Sequence, residues 1–75
     1  MELQEGIEIV KRAIRKVIPQ DIEVDEKQNL LECMGALDLF YVVSFLEEES
    51  YISWENVLEE TPEKMTISGL AKLLL

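Results

Sequence analysis

The clearest pattern of apolar and polar positions lies in the first segment of the chain, before Pro19. Apolar residues recur there at steps of four, three, four and three, at Leu3, Ile7, Val10, Ile14 and Val17. This spacing places them on one face of an α-helix. Four basic residues fall on the other faces, where we expect solvent: Lys11, Arg12, Arg15 and Lys16. Proline disfavours helical conformation in the residue before it, so the helix is predicted to end there.

The helical pattern is lost between residues 20 and 29, which are polar apart from Ile22 and Val24. We predict a loop that these two side chains attach to the core. Leu30 and Leu31 then restore apolar character.

A second helix is predicted from about residue 35 to about residue 50. Nearly every position from Leu37 to Leu46 is apolar, which is typical of a central helix or of one that leaves an apolar strip for a partner. Asp38 falls in the first turn, where the helix dipole favours a negative charge. Three acids follow at the opposite end, where the dipole disfavours them: Glu47, Glu48 and Glu49.

The remainder is predicted to form short helical pieces. Ser53 suits the N-cap of a brief helix through Leu58, and Thr61-Pro62 suits the start of another turn. Thr66 can cap a last helix, whose apolar face is Ile67, Leu70, Leu73 and Leu74. No segment alternates as a strand would. The pattern therefore predicts one all-α domain over residues 1–75.

The composition excludes several classes of protein. The chain has no histidine and one cysteine, Cys33, which excludes a disulfide framework and the familiar zinc sites. No apolar run approaches the roughly 20 residues of a membrane span, and the acidic N-terminus is unlike a signal peptide. A lone thiol suits a reducing compartment, so we expect a cytoplasmic protein.

The net charge of −9 is unevenly distributed. Between Lys27 and Lys64 the chain has nine acids and no base, and elsewhere seven acids balance seven bases. Such a field repels nucleic acid and anionic membranes, and it attracts basic protein surfaces. The alternative interpretation is that these acids only keep the protein soluble.

The order of elements and three local motifs resemble the acyl and peptidyl carrier proteins of fatty-acid, polyketide and non-ribosomal peptide synthesis. That family has Asp-Ser-Leu-Asp at the start of its second helix, and Leu-Glu-Glu-Glu ten residues after the serine. Here Gly35-Ala36-Leu37-Asp38 is followed at the same interval by Leu46-Glu47-Glu48-Glu49. The family's Thr-Val-x-x-Leu is similar to Thr66-Ile67-Ser68-Gly69-Leu70. The resemblance spans nearly the whole chain and implies a small four-helix bundle, acyl-carrier-protein-like.

The resemblance also implies a function. In the family, the serine is esterified to 4'-phosphopantetheine, whose thiol holds an acyl or aminoacyl group as a thioester. Ala36 stands at that position and has no oxygen to modify, and Gly35 replaces the aspartate before it. The implied partners are a phosphopantetheinyl transferase and the loading and condensing enzymes, which would meet a monomer through basic surfaces. Their implied docking residues are Leu37, Tyr41, Glu47 and Glu48.

Three interpretations of Ala36 remain open. Ala36 is a Ser→Ala change that holds the protein unmodified, or the chain is a natural carrier that has lost its attachment site, or the chain is a helical domain outside the family. In the last case the chain is a non-carrier interaction module. An enzyme is not expected, because the chain has neither histidine nor a glycine-rich phosphate loop.

Other side chains have structural interpretations. Cys33 lacks a neighbouring base or cation and is predicted to be a small, partly buried filler. Tyr51 and Trp54 are predicted to attach the short helix after Ser53 to the core. The acids Glu47 to Glu49 point in different directions on a helix, so they do not form a metal site.

Overall fold

The computed structural model describes residues 1–20 and 23–75. Most residues of this part of the chain are helical, and no strand occurs in it. The five α-helices are α1 (Leu3–Val17), α2 (Leu30–Cys33), α3 (Ala36–Glu48), α4 (Trp54–Glu59) and α5 (Ile67–Leu73), and a 3-10 turn (Pro62–Lys64) precedes α5. The prediction of an all-α fold class is therefore confirmed for these residues. No helix in these two described ranges has the length and apolar character needed to cross a membrane.

Helix α1 packs between α3 and α5. Ile7, Val10 and Ile14 are buried, and Val17 is half-buried against the same core, as the stripe predicts. Leu3 is exposed, so the prediction that it belongs to the buried stripe is wrong. Helical side chains tilt toward the N-terminus, and the first residue of a helix therefore projects beyond its end. The buried face is also wider than the stripe, because two helices cover it, and it includes Gly6, Ile9 and Ala13.

The outer face of α1 is charged, as predicted. Arg12, Arg15 and Lys16 are exposed, and Lys11 is half-buried. The helix ends before Pro19, with Ile18 in extended conformation. Both the face and the end of α1 therefore follow from the sequence pattern.

The loop before α2 attaches to the core through Val24, which is half-buried. Ile22, the other predicted attachment, lies outside the described residues. Helix α2 itself was not predicted, because four residues are too short to show a helical period. Its N-cap is Asn29, whose side-chain oxygen accepts the N–H of Leu31 at 2.9 Å. Leu30 is fully buried.

Helix α3 has the predicted start and nearly the predicted end. Its inner face is fully or almost fully buried and consists of Leu39, Val42, Val43 and Leu46. The chain leaves the helix through Ser50, which has φ of 64° in the left-handed region. The N–H of Tyr51 donates to the carbonyl oxygen of Leu46 at 2.9 Å, and that of Ser50 to Glu47 at 2.9 Å. This pair of bonds is the Schellman ending of a helix.

The predicted caps of the shorter helices are mostly present. The Ser53 side chain accepts the N–H of Asn56 at 3.5 Å, and that of Thr66 accepts the N–H of Gly69 at 2.8 Å. Thr61 precedes the 3-10 turn but makes no such side-chain bond. On α5 the predicted apolar face is buried at Ile67 and Leu70 and half-buried at Leu73 and Leu74.

Candidate functional site

The head of α3 holds the predicted attachment position. Gly35 is the N-cap, with extended backbone and no side-chain bond, and Ala36 is the first helical residue. Ala36 is exposed, and Asp38 lies half-buried in the same turn. An exposed helix start offers free N–H groups and a positive dipole end to an anion. Position 36 thus has the geometry for a phosphorylated side chain, but alanine supplies no oxygen.

The predicted docking residues of α3 lie on its outer face. Leu37 is 64% exposed and Tyr41, one turn later, is 52% exposed. Glu48 continues the same line, because it lies a whole number of turns from both at 3.6 residues per turn. Leu37, Tyr41 and Glu48 therefore form one solvent-facing row.

Phe40 is a further exposed residue of this face, and the sequence pattern does not single it out. It is 52% exposed, and its ring lies 5.0 Å from that of Trp54 and 6.0 Å from that of Tyr41, centroid to centroid. The contact with Trp54 joins the outer face of α3 to α4. Leu58, one turn after Trp54, extends the surface and is 77% exposed.

The predicted roles of Trp54 and Tyr51 are confirmed in part. Both are half-buried and pack against the core, so both attach the region around α4 as expected. Trp54 also contacts Phe40 on the outside, so it belongs to the core and to the exposed surface.

An apolar groove of about 220 Å³ lies between α3 and α4. Its lining combines the head of α3, the inner side of α4 and one residue before α5, and comprises Ala36, Leu39, Phe40, Val43, Trp54, Val57 and Met65. None of these lining side chains is an acid, a base or a nucleophile, so the groove can hold hydrocarbon but supplies no catalytic group. The methyl group of Ala36 is part of this lining.

Acidic residues border the apolar surface. A Glu47 carboxylate oxygen accepts the N–H of Trp54 at 3.4 Å. This bond holds the Glu47 carboxylate at the start of α4. Negative charge there is favoured by the dipole of α4, and this offsets the unfavourable position of Glu47 at the end of α3. Glu48, Glu55 and Glu59 are exposed. The surface formed by Leu37, Phe40, Tyr41, Trp54 and Leu58, with these acids beside it, is called the α3–α4 surface below.

Cys33 does not contribute to this surface. It is half-buried, and its sulfur donates to the Asn29 carbonyl oxygen at 3.5 Å, which confirms its role as a filler. No cluster of three acidic, histidine or cysteine residues suited to a metal ion occurs in residues 1–20 and 23–75.

Comparisons with protein families, with curated proteins and with solved structures found no match to this chain. The resemblance to carrier proteins therefore depends on the residues quoted above and on the order of elements along the chain.

Proposed function

We propose that this chain is a carrier-protein-like domain of fatty-acid, polyketide or non-ribosomal peptide synthesis. In a serine form, position 36 would tether acyl or aminoacyl intermediates through 4'-phosphopantetheine. The observation that carries the proposal is the position of Ala36, exposed at the first residue of α3 and beside the apolar groove. A long first helix, a long loop, a central helix and a short helix before the last one support the finer assignment of an acyl-carrier-protein-like bundle.

The chemistry of tethering requires little from the other residues. A serine hydroxyl at position 36 would form a phosphodiester, and the start of α3 would stabilise its negative charge. The flexible arm would extend into solvent, since position 36 is exposed. The chain itself would not catalyse a reaction, and Ala36 leaves the present form with its protein contacts alone.

Docking to partners is proposed at the α3–α4 surface. Leu37 and Tyr41 offer apolar contacts, while Glu47 and Glu48 attract the basic surfaces of a transferase and of loading or condensing enzymes. Charges set the rate and orientation of encounter, and buried apolar contacts set the lifetime of the complex. We further propose a cytoplasmic monomer.

The substitution Ala36→Ser tests the proposal directly. We expect the folded variant to accept one phosphopantetheine from coenzyme A with a broad-specificity phosphopantetheinyl transferase. Serine is small and position 36 is exposed in the first turn of α3, so the fold should be retained. Intact mass measures the product, and the unchanged chain is the matched control because it keeps the serines at positions 44, 50, 53 and 68.

A folded Ala36→Ser variant that several such transferases leave unmodified would overturn the carrier assignment. The exposed α3–α4 surface then favours the second candidate, a helical interaction module that never carries a group. Modification of the unchanged chain would place the attachment at another residue and would also contradict the proposal.

Charge reversal tests the proposed docking. In the Ala36→Ser background, we expect Glu47→Lys with Glu48→Lys to lower kcat/KM of the transferase, because the two acids attract its basic surface. The loss should shrink with added salt, since surface charges are screened over about 8 Å at physiological ionic strength. Glu5→Lys with Glu8→Lys on α1 makes the same change in net charge and should have a smaller effect. Equal losses for the two pairs would show an effect of net charge rather than docking at these acids. No loss for Glu47→Lys with Glu48→Lys, at any salt concentration, would show that the acids serve solubility only.

A further inference from the structure

A groove of about 380 Å³ lies away from the α3–α4 surface, between the loop before α2, the 3-10 turn and α5. Lys27, Lys64 and Lys72 line it, one from each of these elements. The chain has seven basic residues, of which four lie on α1. The remaining three all line this one groove, which is called the lysine groove below.

Hydrogen bonds hold the walls of the lysine groove together. The N–H of Ser68 donates to the carbonyl oxygen of Glu26 at 3.0 Å. The side-chain amide of Asn29 donates to the carbonyl oxygen of Pro62 at 2.8 Å. The loop before α2 is thereby tied both to α5 and to the 3-10 turn, so the lysines are brought together before any ligand binds.

Two hydroxyl groups also line the lysine groove. Thr66 Oγ1 accepts the N–H of Gly69 at 2.8 Å, which leaves its O–H free to donate. Ser68 is half-buried, and its hydroxyl makes no hydrogen bond to a described group. Ammonium and hydroxyl groups are donors that suit the oxygens of a phosphate group.

Two acids line the lysine groove as well, and they reduce its charge without reversing it. Glu60 pairs with Lys64, four residues later in the chain, at 3.6 Å. Neither the Lys27 nor the Lys72 ammonium group has a described carboxylate within 4.0 Å. Three lysines and two glutamates give the lining side chains a net charge of +1, and beside them the Asp25 carboxylate accepts the backbone N–H of Lys27 at 2.8 Å.

We propose that the lysine groove binds the phosphate group of a small anionic ligand, with Lys27 and Lys72 as the principal cations and Ser68 as a donor. This inference is independent of the carrier assignment, because it involves neither position 36 nor the α3–α4 surface.

The experiment is an NMR titration of the ¹⁵N-labelled chain with inorganic pyrophosphate at constant ionic strength. We expect saturable shifts in the amides of residues 27 and 66–72, with little change in α1. Lys27→Gln and Lys72→Gln should each weaken binding about two- to fivefold, as the loss of one exposed ion pair predicts. Lys16→Gln removes an equal charge from α1 and should leave the affinity unchanged.

Vesicles of phosphatidylcholine containing phosphatidic acid distinguish the source of the phosphate. Binding of pyrophosphate with no binding of vesicles identifies a soluble ligand, and Lys72-dependent vesicle binding identifies a lipid headgroup. Non-saturable shifts, shifts centred on the cations of α1, or equal losses in Lys16→Gln and Lys72→Gln would overturn the proposal. Lys27 and Lys72 are exposed, so both variants should fold, and circular dichroism checks this.

Discussion

Helices α1 and α3 contribute to the same core but differ on their outer faces. Each buries a valine almost completely, Val10 in α1 and Val43 in α3. The outer face of α1 is mostly charged, whereas that of α3 exposes Leu37, Phe40 and Tyr41. Folding requires only the inner half of each helix, so the apolar outer face of α3 needs another explanation. Contiguous exposed apolar residues are typical of contact surfaces.

The largest expected effect is a difference in stability between substitutions on the inner and outer faces of α3. We expect Leu46→Ala, at a fully buried position, to lower the free energy of unfolding by about 2–5 kcal/mol through lost burial and a cavity. Leu37→Ala removes the same atoms from the outer face and should change it by less than about 0.5 kcal/mol. Urea unfolding followed by circular dichroism measures both. A large loss in Leu37→Ala would show that the outer face stabilises the fold and would weaken the proposal that it docks partners.

A smaller difference in stability is expected between substitutions at two glycines, one near the N-terminal end of each helix. A Cβ atom at Gly6 would lie 3.0 Å from the carbonyl oxygen of Ala71, so Gly6→Ala must push α1 from α5. We expect a net loss of up to about 2 kcal/mol, since an overpacked site costs about 1–3 kcal/mol and alanine regains about 0.5–1 kcal/mol over glycine within a helix. At Gly35 the nearest atom is 3.9 Å away, so Gly35→Ala should cost far less. Thermal unfolding of the two variants tests this, and equal midpoints would contradict the tight crossing of α1 and α5.

The smallest effect concerns the ends of the helices. Helix α1 ends at extended backbone before Pro19, whereas α3 ends through the left-handed Ser50. Left-handed conformation costs a residue with a side chain about 1–2 kcal/mol, and glycine loses about 0.5–1 kcal/mol more entropy on folding. We therefore expect Ser50→Gly to raise the free energy of unfolding by about 0.5–1 kcal/mol. A lower stability in urea would show that the Ser50 side chain contributes a contact that outweighs this strain.

Much of the fold is predictable because local signals act within single helices. The spacing of Ile7, Val10 and Ile14 defines the buried side of α1, and Pro19 marks its end. Ser53 and Thr66 mark helix starts because their side chains accept N–H groups within the next turn. Helix α2 is missed, since its formation depends on Asn29 and on a distant bond from Leu30 to Met65.

The candidate site is less predictable because it depends on contacts between helices. Leu37 and Tyr41 follow from their spacing on α3 and from the resemblance to carriers. The roles of Phe40 and Leu58 depend on the orientation of α4, which is set by the turn at Ser50 and the contact between Phe40 and Trp54. The lysine groove combines residues from three elements, and no spacing along the sequence indicates that they meet.

The packing of α1 against α5 has a consequence for how the chain folds. Gly6 and Ala71 are in contact although they are far apart in the sequence, so a loop that includes most of the chain must close before this interface forms. Such non-local contacts slow folding relative to helical proteins with local contacts. During synthesis, α1 cannot pack against α5 until Leu70 and Ala71 have left the ribosome. Until then its apolar stripe remains partly uncovered and available to chaperones.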